Sequence, residues 1–146
     1  MPSSANVLIA EDQETDAYLM KWAFKKVGLD YNFAHVLDGQ EAVDYLSGKG
    51  HFSDRAQYPF PDLLLLDLKM PRLTGFDVLS WLKSNPPAGK LPVVVLTSSD
   101  LPADIQRARE LGATDYRVKP SGLEGMVKLA QDLHERWLKE VDSSPN

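Results

Sequence analysis

The chain has no cysteine, which excludes disulfides, thiolate metal sites and cysteine nucleophiles. It has no apolar run of the length that spans a bilayer. Its first residues, Met1-Pro2-Ser3-Ser4-Ala5-Asn6, carry neither the basic nor the apolar region of a signal peptide. A cytoplasmic location, away from the membrane, is the expectation. Basic residues are the minority, 16 Lys and Arg against 21 Asp and Glu, and the resulting charge of −5 argues against a nucleic-acid surface, which is built from clustered cations. Histidine is sparse: His35, His51 and His134 lie far apart, and His134-Glu135 lacks the second histidine of a zinc-binding helix. No repeat, low-complexity tract or linker divides the 146 residues, so one domain over residues 1–146, its core about 6–141, is expected, without an appended output domain.

What is present centres on Pro61-Asp62-Leu63-Leu64-Leu65-Leu66-Asp67-Leu68-Lys69-Met70-Pro71. Four consecutive leucines between prolines are too short for a buried helix and do not alternate like a half-exposed strand. They fit a strand covered on both faces. Asp67 closes the run. A carboxylate there either caps the following turn or is held at the strand's carboxyl end, where open α/β sheets place their ligands.

Around it the chain alternates. Val7-Leu8-Ile9-Ala10 is a strand ending in Glu11-Asp12. Glu14 to Val27 has helical spacing with Gly28 as its stop. Tyr31–Leu37 reads as a strand, Gln40–Leu46 as a helix, and Ser47–Phe60 as a long solvated loop with Tyr58 and Phe60 against the sheet edge. Phe76–Lys83 is a helix ended by Asn85-Pro86-Pro87. Pro92–Leu96 is a buried strand running into Thr97. Ala103–Leu111 is a helix, and Asp115–Val118 a strand leading to Lys119. A last helix of about five turns carries the stripe Leu123, Val127, Ala130, Leu133, Trp137 and Val141.

Strands alternating with helices imply a doubly wound parallel sheet, and five of each suit the flavodoxin-like order 2-1-3-4-5. Neighbouring strand ends then bring Glu11, Asp12, Asp67, Thr97 and Lys119 to one rim. Three carboxylates there repel: two unit charges ~4 Å apart cost roughly 4 kcal/mol at an effective dielectric of ~20. Without compensation one of them takes up a proton. A divalent cation together with Lys119 balances them, and all-oxygen ligation suits Mg²⁺. Such a rim meets the needs of phosphoryl transfer.

The motifs Val7-Leu-Ile-Ala-Glu-Asp12, Leu63-Leu-Leu-Leu-Asp-Leu-Lys-Met-Pro71, Val93-Val-Val-Leu-Thr-Ser98 and Gly112-Ala-Thr-Asp-Tyr-Arg-Val-Lys-Pro120 occur in order. With them the chain resembles the receiver domains of two-component response regulators, the CheY-like family. The resemblance implies that Asp67 is phosphorylated by a sensor histidine kinase or phosphotransfer protein. It further implies that Glu11, Asp12, Asp67 and the Lys69 backbone carbonyl bind Mg²⁺, that Thr97 and Tyr116 form the switch, and that Lys119 binds the phosphoryl group. The Tyr58-Pro59 loop and Trp137-Leu138 are similar to the small regulators paired with cyanobacterial phytochromes. A symmetric dimer through the fourth helix, fifth strand and last helix is implied as well, with Trp137 available to a partner.

Lys69 replaces the Asn of many receivers, and its side chain either shields the phosphoryl group or points into solvent. The enzyme alternative is a Mg²⁺-dependent phosphohydrolase of the haloacid dehalogenase type with Asp67 as nucleophile, but Lys69 stands where that family needs a second Asp. A flavin-binding alternative suffers from Glu11-Asp12, which would repel a phosphate. An unphosphorylated scaffold would not require the intact set Asp67, Thr97 and Lys119.

Overall fold

The computed structural model describes residues 5–85 and 90–139. Val141 and the Pro86-Pro87 stop lie outside them. The strands are β1 (Asn6–Ala10), β2 (Asn32–Val36), β3 (Leu63–Leu66), β4 (Val93–Thr97) and β5 (Asp115–Val118). The helices are α1 (Glu14–Lys26), α2 (Gly39–Ser47), α3 (Gly75–Lys83), α4 (Pro102–Glu110) and α5 (Leu123–Leu133). All strand pairs are parallel and the order is β2-β1-β3-β4-β5, as the sequence led us to expect.

Strand alternation explains the leucine run. Leu64 and Leu66 face one way, into a core with Leu8, Ala42, Leu46, Val78, Leu79 and Val95 from α2, α3 and the strands. Leu63 and Leu65 face the other way, among Val7, Ile9, Ala17, Phe24, Leu129 and Leu133 from β1, α1 and α5. Each leucine is essentially fully buried. The central strand therefore joins two cores.

Two expectations change. The last helix is not uniform: after Leu133 it widens into a π-helical turn over His134–Leu138. Leu138 lies five residues beyond Leu133, about 140° round an ideal α-helix, and the wider turn brings both side chains into the core, each 0% exposed. Trp137 packs half-buried beside them. The 47–60 segment is also more than a solvated loop. It contains a short 3₁₀ turn, Gly50–Phe52. Arg55 donates to the Tyr45 and Leu46 carbonyls at the open end of α2 and to the Tyr58 carbonyl of the loop, at 2.8–3.0 Å. Phe52 and half-buried Tyr58 pack on Tyr45, whereas Phe60, expected against the sheet edge, is 40% exposed.

The turn after β3 is shaped by close backbone approach. A Cβ on Gly75 would lie 2.3 Å from the Asp67 carbonyl oxygen and 2.8 Å from Leu68 Cα. Thr74 caps α3 reciprocally with Asp77. Arg72, in the left-handed region at φ 65°, makes a two-point ion pair with Asp38, the cap of α2. These contacts fix the chain immediately behind Asp67. Gly75→Ala should therefore lose about 1–3 kcal/mol in urea unfolding, while Ser80→Ala on the exposed side of the same helix should stay within ~0.5 kcal/mol. Equal stability of the two variants would refute the close-approach account.

Candidate functional site

The hydrogen-bond ladder continues one residue past the strands. The Asp67 amide donates to the Ala10 carbonyl (3.0 Å), the Glu11 amide to the Val36 carbonyl (3.0 Å) and the Lys119 amide to the Thr97 carbonyl (2.8 Å). Backbone geometry thus sets Glu11, Asp67, Thr97 and Lys119 on one rim. His35 Nε2 lies 2.7 Å from the Glu11 carbonyl oxygen and donates to it, tying the acidic pair to β2. Glu11 is 4% and Asp67 6% exposed, while Asp12 is half-buried.

Thr97 is fully buried, and its hydroxyl has no hydrogen-bond partner among the described residues. A buried hydroxyl of this kind costs free energy unless something supplies an acceptor or donor. The Tyr116 hydroxyl donates to the Ser99 carbonyl at 2.9 Å, linking β5 to the segment between β4 and α4. The Lys69 amide lies 3.4 Å from Asp67 Oδ1. Its side chain is exposed, and among the described residues its ammonium has no hydrogen bond or ion pair, as the solvent-facing alternative requires. His51 and His134 are remote from this rim: His51 packs on Phe52, and His134 hydrogen-bonds the Tyr31 hydroxyl.

Three ligand oxygens, one each from Glu11, Asp12 and Asp67, lie within 4.8 Å of one another. This all-oxygen set suits a hard divalent cation. Lys119 Nζ reaches Glu11 Oε1 at 2.6 Å, Asp67 Oδ2 at 3.5 Å, and a fourth carboxylate, Asp16 Oδ2, at 2.8 Å. Asp16 escaped the sequence reading because first-turn acids are common on helices. The clue was that α1 starts at the same rim. With Asp16 included, the rim holds four carboxylates and one ammonium, so a divalent cation leaves one negative charge where three carboxylates would have been balanced.

Burial raises the Glu11 carboxyl from 4.5 to about 7, with the Asp67 charge adding and the Lys119 bond opposing. Burial would lower Lys119, but its bonds to Asp16 and Glu11 and the Asp67 charge hold it above the usual lysine range. Folded Glu11 keeps its proton where unfolded Glu11 has lost it. Its contribution to stability is therefore full below about pH 4.5 and is lost as pH rises through about 7. In chelator, urea unfolding of wild type should lose on the order of 2 kcal/mol across that window relative to Glu11→Gln. Parallel pH profiles for the two proteins would contradict the burial effect.

The model of the response regulator receiver domain matches residues 7–131. Response regulator Rcp1 of Synechocystis sp. is 33% identical over 135 residues, covering 92% of this chain and 90% of that protein. Among solved structures, the phosphorylated cyanobacterial phytochrome response regulator RcpA superposes with a TM-score of 0.85 at 31% identity, covering 93% of this chain and 95% of that one. The Mn²⁺-bound form of Rcp1 gives 0.82 at 32% identity, with coverages of 92% and 95%. A rim of acid, hydroxyl and lysine on this sheet, matched over nearly its whole length by such relatives, makes the chain a member of the response regulator receiver family.

Proposed function

We propose that the chain is a receiver switch operated by phosphorylation of Asp67 from the phosphohistidine of a sensor histidine kinase or phosphotransfer protein. The observation that carries this reading is the buried Asp67 carboxylate at the end of the central strand, with Lys119 Nζ 3.5 Å away. The likeness to Rcp1 and RcpA supports a phytochrome-type kinase as donor.

An Asp67 oxygen would attack phosphorus as the P–N bond breaks, and the bonding pair would leave with the imidazole. Glu11, Asp12, Asp67 and the Lys69 carbonyl would hold Mg²⁺, which when bound supplies charge neutralisation to the phosphoryl oxygens. Lys119 would pair with one phosphoryl oxygen. The Thr97 hydroxyl would find in another the partner it lacks, and its movement would pull the Ser99 segment and the Tyr116 latch with it. Relaying a phosphoryl group this way makes the protein a signalling element, not an enzyme with a separate substrate. The phosphohydrolase alternative fails at position 69, where an exposed lysine cannot serve as the required acid and base.

Association of two copies through α4, β5 and α5 belongs to the same reading. That face exposes Leu101 beside α4 and Val118 on β5, and carries the Arg117, Asp132 and Arg136 ion-pair chain, charges of both signs as a self-complementary patch needs. Sedimentation over a range of concentrations, with and without a phosphoryl mimic, should show a dimer. A monomer throughout would remove this part.

Incubation with acetyl phosphate and Mg²⁺ should give an acid-stable, alkali-labile phosphoryl adduct, abolished in Asp67→Asn and by a chelator. Full labelling of Asp67→Asn would overturn the assignment.

A further inference from the structure

We infer that Asp16 is the parking site of Lys119: the carboxylate that keeps the ammonium when a divalent cation draws on Glu11. The inference rests on the cation reading above and extends it to a residue outside the ligand set.

An ammonium has three N–H donors, and here three carboxylates surround it: Glu11 at 2.6 Å, Asp16 at 2.8 Å and Asp67 at 3.5 Å. Two of these, Glu11 and Asp67, also belong to the cluster that can hold a cation. Glu11 is the constrained one. Its Oε2 accepts the Gln13 amide at 3.1 Å while Oε1 accepts Lys119, so both oxygens are engaged before any cation arrives. A dication at Glu11 repels the ammonium 2.6 Å from the same carboxylate, and Lys119 must give way.

Asp16 is the place it can go. It lies outside the cluster, in the first turn of α1, where the helix end favours a negative group. Among the described residues its side chain has no other hydrogen bond or ion pair. Lys119 can therefore leave Glu11 without becoming an unpaired, largely buried charge and without leaving reach of Asp67. Asp16 is a positioning residue that lowers the cost of loading the cation. Its removal should leave Lys119 competing for Glu11.

A double-mutant cycle on Mn²⁺ binding tests this, using the full chain and free Mn²⁺ measured by electron paramagnetic resonance. Asp16→Asn should weaken Mn²⁺ binding about tenfold when Lys119 is present and less than about twofold in the Lys119→Ala background, where only screened attraction is lost. Asp16→Glu should restore affinity to within about twofold. Thermal unfolding of each variant checks that the fold is retained, with Lys119→Gln replacing Lys119→Ala if the latter does not fold. Equal losses in both backgrounds would mean that Asp16 acts only by its charge, and no loss in either that it plays no part; each overturns the inference while leaving the cation reading intact. Failure of wild type to bind Mn²⁺ would overturn both.

Discussion

One largely buried ammonium holds the functional rim together. Lys119 Nζ lies within 4 Å of three carboxylates on two different segments of chain, and Asp12 stands beside them. Each additional like charge at such spacing costs a few kcal/mol at an effective dielectric of ~20. The protein answers in two ways. Lys119 is kept charged by its neighbours, and Glu11 is pushed toward neutrality by burial. Neither answer is complete, because one ammonium faces four acids. The residual charge makes the rim receptive to a dication.

The rest of the fold serves to hold these groups where they repel one another. Side chains on flexible loops would move apart. Here the ladder extends past β1, β3 and β5, so Glu11, Asp67 and Lys119 are each fixed by a backbone hydrogen bond to the neighbouring strand. Behind Asp67, Gly75 permits the contact that seats α3, while Arg72 and Asp38 tie the same turn to α2. The two hydrophobic cores on either face of β3 supply the burial that offsets the repulsion.

Much of this was legible in the sequence, because a parallel sheet leaves simple marks. Leu63–Leu66 can be apolar at every position only if both faces are covered, and the order 2-1-3-4-5 then makes neighbours of the strand ends bearing Glu11, Asp67, Thr97 and Lys119. What stayed hidden depends on side-chain reach across long sequence separations. Asp16 meets Lys119 across 103 residues, and in sequence it looks like any first-turn acid. Arg55 closes the end of α2 through the Tyr45 and Leu46 carbonyls and ties it to that of Tyr58, which no composition rule marks. The π-helical turn leaves only a faint trace, the five-residue step from Leu133 to Leu138, easily passed over beside the α-helical spacing of Trp137.

The claim on which the rest stands is that the carboxylate excess at this rim is matched by a divalent cation. Calorimetric titration of the chelator-treated protein with Mg²⁺ tests it most directly. Binding of one Mg²⁺ per chain, lost in Asp12→Asn and in Asp67→Asn with the fold intact, is the expected result. No saturable binding by folded wild type, or binding unchanged in both variants, would contradict it.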